Sequence, residues 1–256
     1  MTDHAHILTC PSGLATAGAW HLIYPARPMW RMPIARSRSL GALLALNLSA
    51  AALAACGAGG GSSTSSSALP SGCQQVPRPK PKHVDLRPPS SRVAAGANLT
   101  ARVNTSCGAF TITLDAQDSP RTVSSFAYLA RKGVYDGTSF NRIVPHFVVQ
   151  GGDPSETGVG GPGYSVTEPP PPGTQYRRGT VAMAKAAVDP SGRSRSQFFI
   201  VTAADAGLPP QYALLGKVSS GWGVVTRIEG AGDPSTGQIG TPRYTVAIRG
   251  ITVRSR

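Results

Sequence analysis

The chain has 256 residues and a formal net charge of +13, with 14 % charged residues and abundant Gly and Pro. That length suits one domain of ordinary size plus extra segments. The Lys and Arg residues are spread along the chain and form no run interleaved with aromatics, so the charge does not point to a nucleic-acid partner.

Residues 1–31 show no clear periodicity and read as an uncertain N-terminal extension. Residues 32–55 read as a secretory signal peptide. Arg36 and Arg38 give it a basic start, and Leu40 to Ala55 is a mainly apolar run. That run is short for a membrane span, which needs about 20 residues. The basic pair followed at once by the apolar run gives the expectation that translation begins at Met29 or Met32. The ending Leu53-Ala54-Ala55-Cys56 resembles the bacterial lipoprotein box. The resemblance implies that Cys56 becomes the lipid-modified first residue and holds the protein at the outer face of the cell membrane. An ordinary signal peptide followed by a chance Cys is the alternative.

Residues 56–96 read as a linker. A Gly/Ser tether comes first, then a Pro-rich basic stretch from Pro77 to Pro89, expected as an extended spacer rather than core. Its charge beside a lipid anchor either favours an anionic membrane by about 1 kcal/mol per residue or is merely solvated. Of the four cysteines, Cys73 and Cys107 remain in the exported portion. An oxidising compartment permits a disulfide between them, and the sequence leaves that pairing open. No Cys/His spacing suggests a metal site.

Residues 97–256 read as the folded domain. Leu99 to Thr105 and Phe110 to Leu114 alternate around a short turn and predict a hairpin. Asp118-Ser119-Pro120 opens a helix whose apolar stripe is Val123, Phe126, Leu129 and Ala130, and Gly133 stops it. Ser139 to Gln150 predicts two strands bent at Pro145. The loop Gly151 to Gly163 is Gly-rich but lacks the Gly-Lys-Ser/Thr ending of a phosphate loop. Thr180 to Ala184, Gln197 to Thr202 and Ala213 to Val218 are further strands. Gly221 to Glu229 is a second helix, and Tyr244 to Val253 closes the sheet. Many short strands with two helices read as a closed barrel.

The stretch FNRIVPHFVVQGGDP, Phe140 to Pro154, organises this domain. Its single cation, Arg142, sits in an apolar strand-like run, where an Arg is costly to bury without partners or a task. Taken alone, it reads as an edge strand whose Arg reaches into water. Read with RRGTVAMAKAA (Arg177 to Ala187), SRSQFFIVTA (Ser194 to Ala203) and LPPQYALLGKV (Leu208 to Val218), it closely resembles the signature of the cyclophilins. The resemblance runs in order over roughly Leu99 to Val253. It implies a mainly β fold, a closed eight-stranded antiparallel barrel capped by two helices, with peptidyl-prolyl isomerase activity and no cofactor.

By resemblance, Arg142 is the catalytic cation and Gln150 the substrate-binding amide beside it. Phe147, Val148, Phe199 and Leu208 match the pocket for the Pro ring. Ala184 and Lys185 match the segment that pairs with the substrate backbone, Gln197 a second polar contact, and Tyr212 an aromatic wall where the family often has His. The departures are Val148 for a commoner Met, Lys185 for a frequent Asn, a longer loop from Ala187 to Arg195, and Gly207 where many members carry Trp. The expected protein is a monomeric, lipid-anchored isomerase acting on X-Pro segments of exported proteins. A binding or adhesion module for Pro segments with little turnover is the alternative.

Overall fold

A computed structural model of the chain describes residues 69–255. The N-terminal extension, the signal peptide, Cys56 and the first part of the Gly/Ser tether lie outside the described residues.

Leu99–Thr105 (β1) and Gly108–Leu114 (β2) form the expected hairpin, paired from Leu99↔Leu114 to Thr105↔Gly108. Pro120–Arg131 (α1) follows. Ser119 makes no side-chain cap. The Glu168 carboxylate replaces it from afar, accepting from Arg121 N at 3.1 Å and Thr122 N at 2.7 Å. An anion at the first turn meets both the orphan donors and the helix dipole. Thr138–Ser139 (β3), Arg142–Val144 (β4) and Val148–Gly151 (β5) come next, with the bend at Pro145 as expected. The remaining strands are Val166–Thr167 (β6), Thr180–Met183 (β7), Arg193–Ser194 (β8), Phe198–Val201 (β9), Leu214–Ser220 (β10) and Ala247–Ser255 (β11). Trp222–Glu229 (α2) and a 3-10 helix segment, Pro234–Ile239, kinked at Gly237, lie between β10 and β11.

Among the described residues, nine antiparallel strands make one sheet in the order β3-β11-β1-β2-β10-β7-β9-β5-β4, and β6 pairs β8 apart from it. This corrects the expectation of a closed eight-stranded barrel. The strand order is a line ending at β3 and β4, not a ring, and the extra member is the two-residue β3. The curl is filled by a core that includes Val103, Phe110, Ile112, Phe126, Leu129, Phe198, Ile200, Val225 and Ile228. Both helices therefore bury their apolar faces in it. Phe126, Tyr135 and Phe140 stand around Phe198 at 5.8–6.1 Å, in the edge-to-face geometry that aromatic quadrupoles favour.

The linker differs most from expectation. Residues 73–93 lie along the domain. Cys73 and Cys107 are joined by a disulfide across 34 residues of chain. Val84, Leu86 and Val93 are partly buried against the main core. Composition marks this stretch as a spacer, but its few apolar side chains and backbone donors find partners.

Candidate active site

Strand alternation builds the site. In β9, Phe198 and Ile200 face the main core, so Phe199 and Val201 face the other way. The same period places Val149 inward and Val148 outward in β5, and Val181 and Met183 inward with Ala182 outward in β7. The cross-strand pairs Val148↔Val201 and Ala182↔Phe199 then bring the outward residues side by side. These runs look continuously apolar because both faces of the strands are covered.

The outward residues form a second apolar cluster. Val148, Tyr176, Ala182, Phe199 and Val201 are buried, and Phe147, Ala184, Leu208 and Tyr212 pack on them partly exposed. The four residues expected for the Pro pocket, Phe147, Val148, Phe199 and Leu208, and the expected aromatic wall, Tyr212, fall in this one cluster. Tyr212 meets Phe199 edge-on, with ring centres 5.4 Å apart.

The register of β4 on β5 sets Arg142 opposite Gln150, and that of β5 on β9 sets Gln150 opposite Phe199. Arg142 therefore stands on the cluster's face, its guanidinium 5.8 Å from the Phe147 ring centre. Its Nε donates to Gln238 O at 3.2 Å and its Nη1 to Gln150 Oε1 at 3.4 Å. Gln150 Nε2 donates to Gln197 Oε1 at 3.1 Å, and Gln197 Nε2 donates to Gly158 O at 2.9 Å. One polar chain thus runs from the cation to the Gly-rich loop.

Ala184 N donates to Gln197 O at 2.9 Å, so any pairing of Ala184 with a bound chain falls to its carbonyl. Lys185 Nζ donates to Ala186 O and Asp189 O and lies 5.9 Å from the Tyr212 ring centre. The longer loop closes on itself through Arg195 Nη1 to Asp189 Oδ2 at 2.7 Å. That hydrogen bond holds the Asp189 carboxyl below its ordinary range.

Sequence reasoning missed two residues. Gln238, in the 3-10 helix, supplies the carbonyl that steadies Arg142, and a backbone role carries no residue signature. Tyr176 is fully buried under the cluster. Its hydroxyl donates to Tyr212 O at 2.6 Å and accepts from Tyr212 N at 2.9 Å. Burial pushes its pKa up to about 12, so it remains a neutral donor at physiological pH.

The family model for cyclophilin type peptidyl-prolyl cis-trans isomerases matches residues 100–253. Peptidyl-prolyl cis-trans isomerase-like 1 of Neurospora crassa is 38 % identical over 130 residues, covering 49 % of this chain and 78 % of that protein. Peptidyl-prolyl cis-trans isomerase B of Bacillus subtilis is 44 % identical over 106 residues, covering 40 % of this chain and 71 % of that protein. A crystal structure of a Cryptosporidium parvum cyclophilin, determined in the presence of the dipeptide Ala-Pro, superposes with a TM-score of 0.55 at 29 % identity, covering 61 % of this chain and 99 % of that one. The chain belongs to the cyclophilin-type peptidyl-prolyl cis-trans isomerases, and it is an enzyme of that family.

Proposed function

We propose that this isomerase acts on X-Pro segments of exported proteins from a lipid anchor at Cys56, with Arg142 as the catalytic cation. The observation that carries the catalytic part is the placement of Arg142 and Gln150 across β4 and β5, over the cluster of Phe147, Val148, Phe199, Leu208 and Tyr212.

Isomerisation breaks amide resonance, and the barrier is about 18–20 kcal/mol. At about 20 kcal/mol the rate is on the order of 0.01 per second, so a turnover near 10³ per second requires roughly 7 kcal/mol of transition-state stabilisation. No covalent bond is made and no proton need move. As the imide twists, its nitrogen recovers a lone pair. A cation fixed beside that nitrogen then interacts more strongly with the twisted state than with either planar one. Arg suits this role because its guanidinium is always charged and planar. The holds from Gln238 O and Gln150 Oε1 keep it in place before the substrate arrives. The apolar cluster receives the Pro ring, and Gln150, Gln197 and the Ala184-Lys185 backbone hold the flanking peptide.

Export and anchoring rest on the basic pair Arg36 and Arg38, the apolar run after them, and Leu53-Ala54-Ala55-Cys56. The Cys73–Cys107 disulfide fits an oxidising compartment. Mass spectrometry of the mature protein tests the anchor. A lipid-modified N-terminal Cys56 is expected, with Cys56→Ser released from membranes or left unprocessed. A mature wild type without lipid on Cys56 contradicts it. Exchange spectroscopy on a Pro-containing peptide tests turnover directly.

A further inference from the structure

The Gly-rich loop Gly151 to Gly163 carries the carbonyl that positions Gln197, yet six of its thirteen residues are Gly. Such a loop has much conformational freedom to lose and needs ties. The internal tie is Asp153, fully buried, whose carboxylate accepts from Ser155 N at 2.8 Å, Gly158 N at 2.6 Å and Gly160 N at 3.2 Å.

Within the domain, Ser139 N donates to the Glu156 carboxylate of the loop at 2.8 Å and Gly152 N donates to Ser139 O at 3.3 Å; further ties come from the segment before the domain. Lys82 N donates to Pro154 O and Leu86 N to Pro162 O, each at 2.7 Å, so residues 82–86 grip both ends of the loop. The approach is close. A Cβ at Gly163 would sit 3.0 Å from Leu86 N, and Gly163 has φ +91°, a region that favours glycine. The segment is itself pinned, because Lys82 Nζ donates to Val134 O at 3.0 Å and Asp136 O at 2.6 Å, at the turn after α1. Val93 N donates to Ser124 Oγ at 2.8 Å within α1. Elsewhere the loop borders an open cavity of about 440 Å3, lined among others by Lys82, Gly160, Tyr164, Arg193 and Arg195.

We propose that residues 82–86 are a positioning strap for the substrate site, acting through the Gly-rich loop on Gln197. The path is explicit. The strap fixes Pro154 and Pro162, Asp153 fixes Gly158, Gly158 O fixes the Gln197 amide, and Gln197 fixes Gln150. Arg142 keeps its separate hold on Gln238 O. Loosening the strap therefore weakens binding of the peptide more than it slows the chemical step. The inference rests on the reading of Gln197 as a substrate contact.

The test uses the purified full-length protein. Lys82→Pro removes both the N–H donor and the ammonium, and Lys82→Met removes the ammonium alone. Assays run well below each variant's Tm. For Lys82→Pro the expected result is at least fivefold faster amide exchange in residues 151–163, KM for an X-Pro peptide raised three- to tenfold, and kcat within twofold. Lys82→Met is expected in between, and it serves alone if Lys82→Pro does not fold. Unchanged loop exchange in a folded variant overturns the strap. So does a loosened loop with wild-type KM when Gln197→Ala, measured alongside, does raise KM. If Gln197→Ala leaves KM unchanged, the substrate role of Gln197 fails instead, and the exchange measurement still decides whether the strap holds the loop.

Discussion

Gln150 and Gln197 are 47 residues apart in sequence, yet Gln150 Nε2 donates to Gln197 Oε1 at 3.1 Å while Gln150 Oε1 accepts from Arg142. Gln150 is thus the joint between the cation and the loop. Gln150→Ala removes one hold on the guanidinium while its bond to Gln238 O remains. A hydrogen bond to a charged group contributes about 1.5–3 kcal/mol, so kcat/KM is expected to fall roughly ten- to a hundredfold. Peptide exchange spectroscopy checks this, and wild-type kcat/KM rules out the joint.

Tyr176→Phe should lower stability. Removing its hydroxyl leaves Tyr212 O and Tyr212 N without that partner, at a cost of about 1–3 kcal/mol. The Tyr212 wall loosens with it, so KM is expected to rise a few fold with kcat little changed. Thermal unfolding and steady-state kinetics on one preparation read both effects.

The proportion of this structure that was legible in the sequence follows from pattern length. Strands such as Phe198–Val201 carry β-branched and aromatic runs, and their cross-strand neighbours then place Phe147, Val148 and Phe199 together. The two-residue strands β3, β6 and β8 are too short to carry a period. The Cys73–Cys107 bond needs proximity, which the sequence does not contain. The strap was hidden for a different reason. Its docking uses the backbone N–H groups of Lys82 and Leu86, while its Pro-rich, basic composition reads as solvated spacer. Tyr176 matters only because the fold sets it under Tyr212.

Glu156 offers a pH test with a defined sign. Burial is the main cause that raises its carboxyl above the ordinary value. Asp153 adds to that, and hydrogen bonds from Ser139 and the charge of Arg78 oppose it. The folded state therefore holds the proton more tightly than the unfolded one, and stability is lost as pH rises through the raised pKa. Glu156→Gln removes this dependence. The Tm difference, variant minus wild type, should be more positive at about pH 7.5 than at about pH 4.5. An equal difference at both pH values contradicts it.

Gly207 predicts weak inhibition by cyclosporin-type ligands, which by resemblance use the ring nitrogen of a Trp at this position. The missing hydrogen bond costs about 0.5–1.5 kcal/mol, and the missing aromatic surface adds to it. Inhibition is expected at least ten- to a hundredfold weaker than for a Trp-bearing relative. Nothing lies within 4 Å of a Cβ at Gly207, but its φ is +60°. Gly207→Trp therefore has room while carrying roughly 1–2 kcal/mol of backbone strain, so only part of the affinity should return. Tight inhibition of the wild type means another side chain fills this place.

The central claim is that Arg142 acts mainly on the twisted imide. The most direct measurement is the exchange rate of an X-Pro peptide with Arg142→Ala, alongside peptide affinity and Tm. Removing one preorganised donor of developing charge costs about 2.7–4 kcal/mol, so turnover should fall about 10²–10³-fold while affinity changes little. Wild-type turnover in a folded Arg142→Ala protein contradicts the mechanism.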